Sequence, residues 1–369
     1  MPDDKYGGFH GRIDGHNNVI PGAKKGGVLN ARILWTYSAV YNRIGGSPRL
    51  KMAIQAVDYI LEHFFDYENG GTWWSLDANG EPHEKKKLIY SQAYFVYALC
   101  EYYMATGDRK SMDQAIGLYH LIEKHGYDRV NDGYLETFDN EWKPLDDQRL
   151  SEKDANEKKS MNTHLHILEA YTHLYPAWPD ESLRNSIVKL LNVFTDKIID
   201  PMTGHLNLFF DERWKVKSDI ISYGHDIEAS WLLCEAANVL GNAEMYGLLK
   251  PVSLKLVNAA LEGLQDDGSL IYEKNLSGDY TDMDRHWWVQ AEAVVGLINA
   301  WTITEEDRYL EMAERCFNYI VDKLVDRDKG EWYWSIRADG RINREDDKAG
   351  FWKCPYHNSR MCLEVMKRL

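Results

Sequence analysis

The chain has 369 residues, with 43 Lys and Arg against 58 Asp and Glu for a net charge of −15. Without any basic run, that balance excludes a general nucleic-acid binder and disfavours an anionic membrane surface, because phosphate recognition needs clustered cations. No apolar stretch nears the roughly 20 residues that span a bilayer, and Met1-Pro2-Asp3-Asp4-Lys5 carries no apolar leader, so a cytoplasmic protein is expected. Five cysteines without a CxxC pair signal neither a disulfide framework nor a thiolate zinc site, and read as buried thiols.

In chain order, the first signal is a hairpin, Gly7-Gly8-Phe9-His10-Gly11-Arg12-Ile13-Asp14, in which glycines precede an alternating stretch and a turn former. Leu29, Ile33, Tyr37, Val40 and Ile44 then follow helical spacing until Gly45-Gly46 stops them. Ser47-Pro48 starts a second helix carrying Leu50, Ile54, Val57, Leu61 and Phe64. The hairpin signature returns at Gly70–Asp77, Asp132–Asp139, Gly204–Asp211, Gly268–Glu273 and Gly330–Ile336, at steps of 62 to 71 residues. The second helix of the unit recurs at Lys110–Lys124, Glu181–Lys197 and Arg308–Lys323.

A near-constant period marks a repeat architecture. Six helix–helix–hairpin units with no linker predict one domain over residues 1–369, closed as an all-α (α/α)6 barrel with short β-hairpins between the helix pairs. Six inner and five outer helices are expected, because the outer helix ahead of Gly7-Gly8 is missing. That gap should leave the first inner helix, Leu29 to Arg43, with a bare apolar flank. The polar insertion from Leu145 to Lys159 reads as a solvated loop or, alternatively, a rim loop.

The 13 Trp, 23 Tyr and 10 Phe suit either thick helix packing or stacking on sugar rings. Unusual residues collect near the start of each inner helix: Arg32, Tyr90, His164, His166, His225, Glu228, Trp287, Trp288, Glu292, Trp352 and His357. In a closed ring, equal phase means convergence on one end of the lumen. His164 reads as a satisfied core histidine, and Trp73, Trp74, Trp332 and Trp334 as hairpin packing. Glu228 stands three residues after His225, the spacing at which a carboxylate can orient an imidazole. Two rival chemistries were weighed. A metal site of His225, Glu228 and His166 or His357 has no His-x-x-x-His pair to support it. A glycoside hydrolase using Glu228 and Glu292 leaves three histidines without a role.

Four motifs in order, Asn30-Ala31-Arg32-Ile33-Leu34-Trp35, Asn162-Thr163-His164-Leu165-His166-Ile167-Leu168-Glu169-Ala170, Gly224-His225-Asp226-Ile227-Glu228-Ala229 and Trp352-Lys353-Cys354-Pro355-Tyr356-His357, resemble the N-acylglucosamine 2-epimerase superfamily, most of all its cellobiose 2-epimerase branch. The resemblance implies an (α/α)6 barrel working without metal or nucleotide cofactor. It implies functional positions at Arg32, His166, His225, Glu228, Trp288, Glu292, Trp352 and His357, with Tyr90, Asp154 and Asn162 in support; Trp287, in the same phase of the repeat, is a further substrate-binding candidate. The Asp154 match favours the rim-loop reading of that insertion.

Inverting C2 of an aldose requires ring opening, removal of the C2 proton and its return to the other face of a cis-enediolate, hence two bases with pKa values near the working pH. The expectation is that His225 and His357 form that pair. His166 would assist ring opening or shuttle protons, Arg32 stabilise the enediolate, and Glu228 orient His225. The expected partner is a β-1,4 disaccharide such as cellobiose, lactose or mannobiose, bound by a monomer or weak homo-oligomer. Free mannose or an N-acylhexosamine, an aldose–ketose isomerisation, and a sugar-binding protein that has lost the reaction stand as alternatives.

Overall fold

A computed structural model describes all residues, 1–369. Eleven helices follow in chain order: α1 (Gly27–Ile44), α2 (Ser47–Tyr59), α3 (Ile89–Thr106), α4 (Arg109–Leu121), α5 (Met161–Leu174), α6 (Glu181–Val193), α7 (Tyr223–Val239), α8 (Ala243–Ala260), α9 (Trp287–Thr304), α10 (Asp307–Tyr319) and α11 (Tyr356–Arg368). The odd-numbered helices pack side by side in a ring that closes where α11 meets α1, and the even-numbered ones lie outside. The result is an (α/α)6 barrel. None of the helices is long and apolar enough to cross a membrane.

Sequence explains which helices go inside. In α3 every residue from Ile89 to Tyr102 is buried, as an all-round apolar helix must be. In α10 burial follows one stripe, Tyr309, Ala313 and Cys316, continued by Ile320 in the following turn. Outer helices start on strong caps: Asp108 accepts from the Ser111 N–H, Asp180 from Ser182 and Leu183, and Asn242 from Glu244 and Met245.

The hairpins interlock the repeats. The strand leading into one inner helix pairs with the hairpin of the next unit, Lys25-Gly26 with Ser75-Leu76, Lys87-Leu88 with Thr137-Phe138, and Lys159-Ser160 with Phe209-Phe210. Ile13 bridges Ala349, closing the ring at its seam. A buried lysine pins four hairpins: Lys25 reaches Asp3 at 3.0 Å, Lys87 reaches Asp66 at 2.7 Å, Lys159 reaches Asp128 at 2.8 Å, and Lys348 reaches Asp326. In each, the aspartate also accepts two backbone N–H groups of its own turn.

One expectation needs correction. α1 is backed by α2, and the inner helix without an outer partner is α11. On α11 Met366 is 49% exposed, whereas on α1 the exposed apolar side chain is Ile44 at the helix end. The open place on the outside of the ring is therefore beside α11 and not beside α1.

Candidate active site

Each inner helix sends its early residues to the same end of the lumen. One layer consists of the sixth residues of five inner helices, Arg32, Tyr94, His166, Glu228 and Glu292, and the fifth of α11, Arg360. Nearer the mouth lie Tyr90, Asn162, His225, Trp288 and His357.

Trp288 sits between two histidines, its ring 4.8 Å from His225 and 5.8 Å from His357 by centroid. His357 Nδ1 donates to Glu292 Oε1 at 2.7 Å, and His166 Nδ1 to Glu169 Oε2 at 2.8 Å. A carboxylate on Nδ1 fixes the proton there and leaves Nε2 as the basic atom. His225 differs, since its Nδ1 meets the Ser222 hydroxyl at 2.8 Å. The expected orientation of His225 by Glu228 is therefore corrected: Glu228 holds Arg360 instead. Both Glu228 and His225 lie on α7, but the carboxylate turns into the lumen while Nδ1 turns back to the residue before the helix.

Arg360 is the hub below the histidines. Its guanidinium is bonded to Glu169, Glu228 and Glu292, the last at 2.6 Å, and is 1% exposed. Three carboxylates share this guanidinium, and that imbalance sets their protonation. Burial, with Glu292 alongside, pushes Glu228 up to about 8, and burial also raises Glu292. Burial works against ionised Glu169 too, but Arg360 and His166 more than offset it and hold its pKa below the usual range. Burial depresses all three imidazoles, His225 to about 3 with His166 adding to the effect, so the pocket holds neutral bases.

Arg32 spans the other side of this layer. It donates through one terminal nitrogen to the Trp352 carbonyl at 2.8 Å and through the other to the hydroxyls of Tyr90 and Tyr94 at 3.1 and 2.6 Å. Its Nε–H is buried with no protein acceptor. Burial opposes its charge, but the surrounding phenols outweigh that and keep it protonated. Trp352 packs against Trp74 and Tyr90. Asn162 Oδ1 is buried without a partner.

The remaining expected positions divide. Trp287 is 3% exposed and packs on Trp334 at 4.6 Å, behind His357 rather than beside Trp288. Asp154 accepts from the Ser151 N–H at 2.8 Å inside its own loop. His164 accepts from the Tyr134 N–H through Nε2 and donates to the Ser160 carbonyl through Nδ1, which makes it structural. Gly133, at φ +75°, lets that hairpin approach: a Cβ there would come within 2.6 Å of His164 Nε2.

Sequence reasoning missed Arg360, Glu169, Tyr94 and Ser222. Two had a usable signal, because Glu169 stands three residues after His166 and Arg360 three after His357, the spacing credited only to His225 and Glu228. Glu228, Glu292 and His357 bring their ligand atoms within 4.8 Å of one another, as a cation site would. Arg360 already bonds both carboxylates, placing its own charge where an ion would sit.

A closed double ring of helices with three lumenal imidazoles, together with the relatives that match it, places the chain among carbohydrate isomerases of the α/α-barrel class. The chain belongs to the N-acylglucosamine 2-epimerase family, whose model matches residues 7–360. It is 51% identical to the cellobiose 2-epimerase of Bacteroides fragilis, covering 99% of this chain and 93% of that one. It is 40% identical to the cellobiose 2-epimerase of Dictyoglomus turgidum over 100% of this chain and 94% of the other. Among solved structures, the cellobiose 2-epimerase of Bacillus thermoamylovorans superposes with a TM-score of 0.95 at 40% identity, over 100% of this chain and 94% of that one.

Proposed function

We propose that residues 1–369 act as one barrel that interconverts glucose and mannose at the reducing end of a β-1,4 disaccharide such as cellobiose. The observation that carries this reading is the pair of neutral imidazoles, His225 and His357, packed on one indole next to the layer that presents a permanently charged arginine. The relatives' shared activity supports the disaccharide.

In this mechanism the sugar ring opens with His166 assisting the transfer of the anomeric proton. One imidazole Nε2 takes the C2 proton, and the C–H electron pair moves into C1–C2 as the carbonyl oxygen becomes the enediolate oxygen. The free Nε–H of Arg32 donates to that oxygen, where charge develops. Burial holds the imidazoles less basic than usual, but the enediolate anion opposes that effect and raises their pKa as the reaction proceeds. The opposite imidazole takes a proton from solvent as the enediolate charge develops and delivers it to the other face of C2, while the first imidazolium releases its proton to solvent, so the proton count is unchanged over the cycle. Glu292 orients His357, Ser222 orients His225, and Arg360 positions Glu292. Trp288 and Trp352 offer flat apolar faces to the pyranose rings.

The chain forms its whole site from its own six inner helices, which fits a monomer or weak homo-oligomer. Five free thiols fit a cytoplasmic location. The test is cellobiose in D₂O with the enzyme as sole addition. Glucosyl-mannose carrying deuterium at C2 is expected; no epimer, or an epimer retaining protium after many turnovers, overturns the reading.

A further inference from the structure

Beneath the Arg360 cluster the lumen widens again. A cavity of about 500 Å³ opens at the end of the barrel away from Trp288, lined by the C-terminal halves of α1, α3, α5, α7 and α11. That volume lies within the range of small-molecule sites. We propose that this chamber is a second carbohydrate site, taking a neutral pyranoside, distinct from the catalytic one.

Its walls carry the features that recognise a sugar. Trp35 and Tyr97 stack at 5.2 Å with planes 22° apart, and Trp231 adds a third aromatic ring. Trp35, Tyr97 and Trp231 are 5%, 7% and 2% exposed, so they offer the chamber apolar edges for the C–H groups of a pyranose, while charged side chains around them accept from and donate to its hydroxyls. Several charged groups of the wall face a partner of opposite type. Glu101 lies 2.7 Å from His173 Nε2 and accepts from Asn42 at 3.1 Å, and Glu235 accepts from Lys367 at 2.6 Å. Acids and bases paired within the wall gain little from binding a net charge, and His173 Nε2 and Glu364 Oε2, buried there without a hydrogen-bond partner, can meet hydroxyls, so a neutral, hydroxyl-rich molecule is the better match.

Two further polar groups point the same way. Trp35 Nε1 and Thr172 Oγ1, on lining side chains only 5% and 7% exposed, have no protein partner. Native proteins rarely leave buried donors so. Glu169 forms part of the chamber lining and also holds His166, so the two compartments stand back to back across one carboxylate.

The test is equilibrium dialysis with labelled methyl β-D-glucopyranoside, which cannot ring-open and so is not turned over. Ala39→Phe fills the chamber from α1 without touching the histidines or Arg360. The wild type should bind one equivalent more than Ala39→Phe, whose turnover of cellobiose should stay within about twofold. Equal stoichiometry in both proteins overturns the proposal. Should Ala39→Phe fail to fold, Tyr97→Phe keeps the ring and removes only the hydroxyl; it should weaken the second site about fivefold, the worth of one hydrogen bond, and unchanged binding overturns the proposal. Crystals soaked in the glycoside should show it between Trp35 and Trp231. Glycoside found only against Trp288, or tetramethylammonium bound in the chamber in its place, also overturns it. Absence of cellobiose turnover by the wild type is a separate result that bears on the catalytic reading alone.

Discussion

Replacing Arg360 by methionine keeps the length of the side chain and removes the guanidinium that Glu169, Glu228 and Glu292 share. Removing one partner from a buried ion pair costs about 3–5 kcal/mol, because the remaining charge stays desolvated. A chain of 369 residues unfolds with an entropy of about 0.8 kcal/mol/K at roughly 2 cal/mol/K per residue, so the melting temperature should fall by about 4–6 °C. The pH dependence is more specific than the size. In the wild type, Glu169 has a depressed pKa, so its contribution is present above the ordinary carboxylate value and is lost as pH falls. In Arg360→Met all three carboxylates titrate above that value, so each destabilises progressively as pH rises through the neutral range. Calorimetry at pH 5 and pH 8 should therefore find the larger deficit at pH 8, and adding Glu228→Gln should recover part of it. A variant that melts within about 1 °C of the wild type at pH 8, or whose deficit is greater at pH 5, would refute the shared-guanidinium argument.

His225→Asn and His357→Asn should each lower kcat by about 10²–10⁴ while disaccharide binding, measured by calorimetry, persists on Trp288 and Trp352. Because burial depresses the imidazoles, the acid limb of kcat/KM should fall below the ordinary histidine pKa of about 6.5. Ser222→Ala should move that limb while Glu228→Gln leaves it in place, since only the serine touches His225; the opposite pattern would restore the Glu228 assignment. The lysine locks predict acid unfolding. Burial works against ionised Asp128 and Asp326, but the hydrogen bonds from Lys159 and Lys348 outweigh it and bring both to about 2. Their stabilisation is complete above the ordinary aspartate pKa and disappears as pH falls towards 2, so circular-dichroism melts should steepen there, and Asp326→Asn should flatten that dependence.

The helices and hairpins were legible because a period of 62 to 71 residues repeats six times and each element carries its own stop or start, such as Gly45-Gly46 and Ser47-Pro48. The phase of the site was legible for the same reason, since equal positions on equivalent helices face one lumen. Pairing inside that lumen was not. Arg360 lies 68 residues from Glu292 and 132 from Glu228, and no local pattern says which of several lumenal acids will share a guanidinium. Glu228 looked like the partner of His225 because spacing of three puts two residues on one helical face, but it cannot say which way Nδ1 turns. The unbacked helix was misplaced for a related reason: chain order puts the gap beside α1, whereas ring closure hands it to α11.

The two histidines of α5 show how one repeat carries both scaffold and site. Two residues rotate an α-helix by about 200°, so His164 and His166 face opposite ways. The fourth residue of the inner helix turns outward and holds a hairpin: Gln92 accepts from the Thr72 N–H, His164 from Tyr134, Asp226 from Leu206 and Gln290 from Leu270, all at 2.8–2.9 Å. Three side-chain chemistries serve that position, so what it requires is an acceptor and not an imidazole. The sixth residue turns inward, and there His166 meets Glu169 and Tyr94. His164→Gln should therefore lose about 1 kcal/mol or less and keep kcat within about threefold, whereas His166→Gln, equally buried and equally conservative, should cut kcat at least tenfold with little change in melting temperature. If His164→Gln proved the more damaging to turnover, the outward face would have to belong to the chemistry, and the division between the two faces of the inner helices would be wrong.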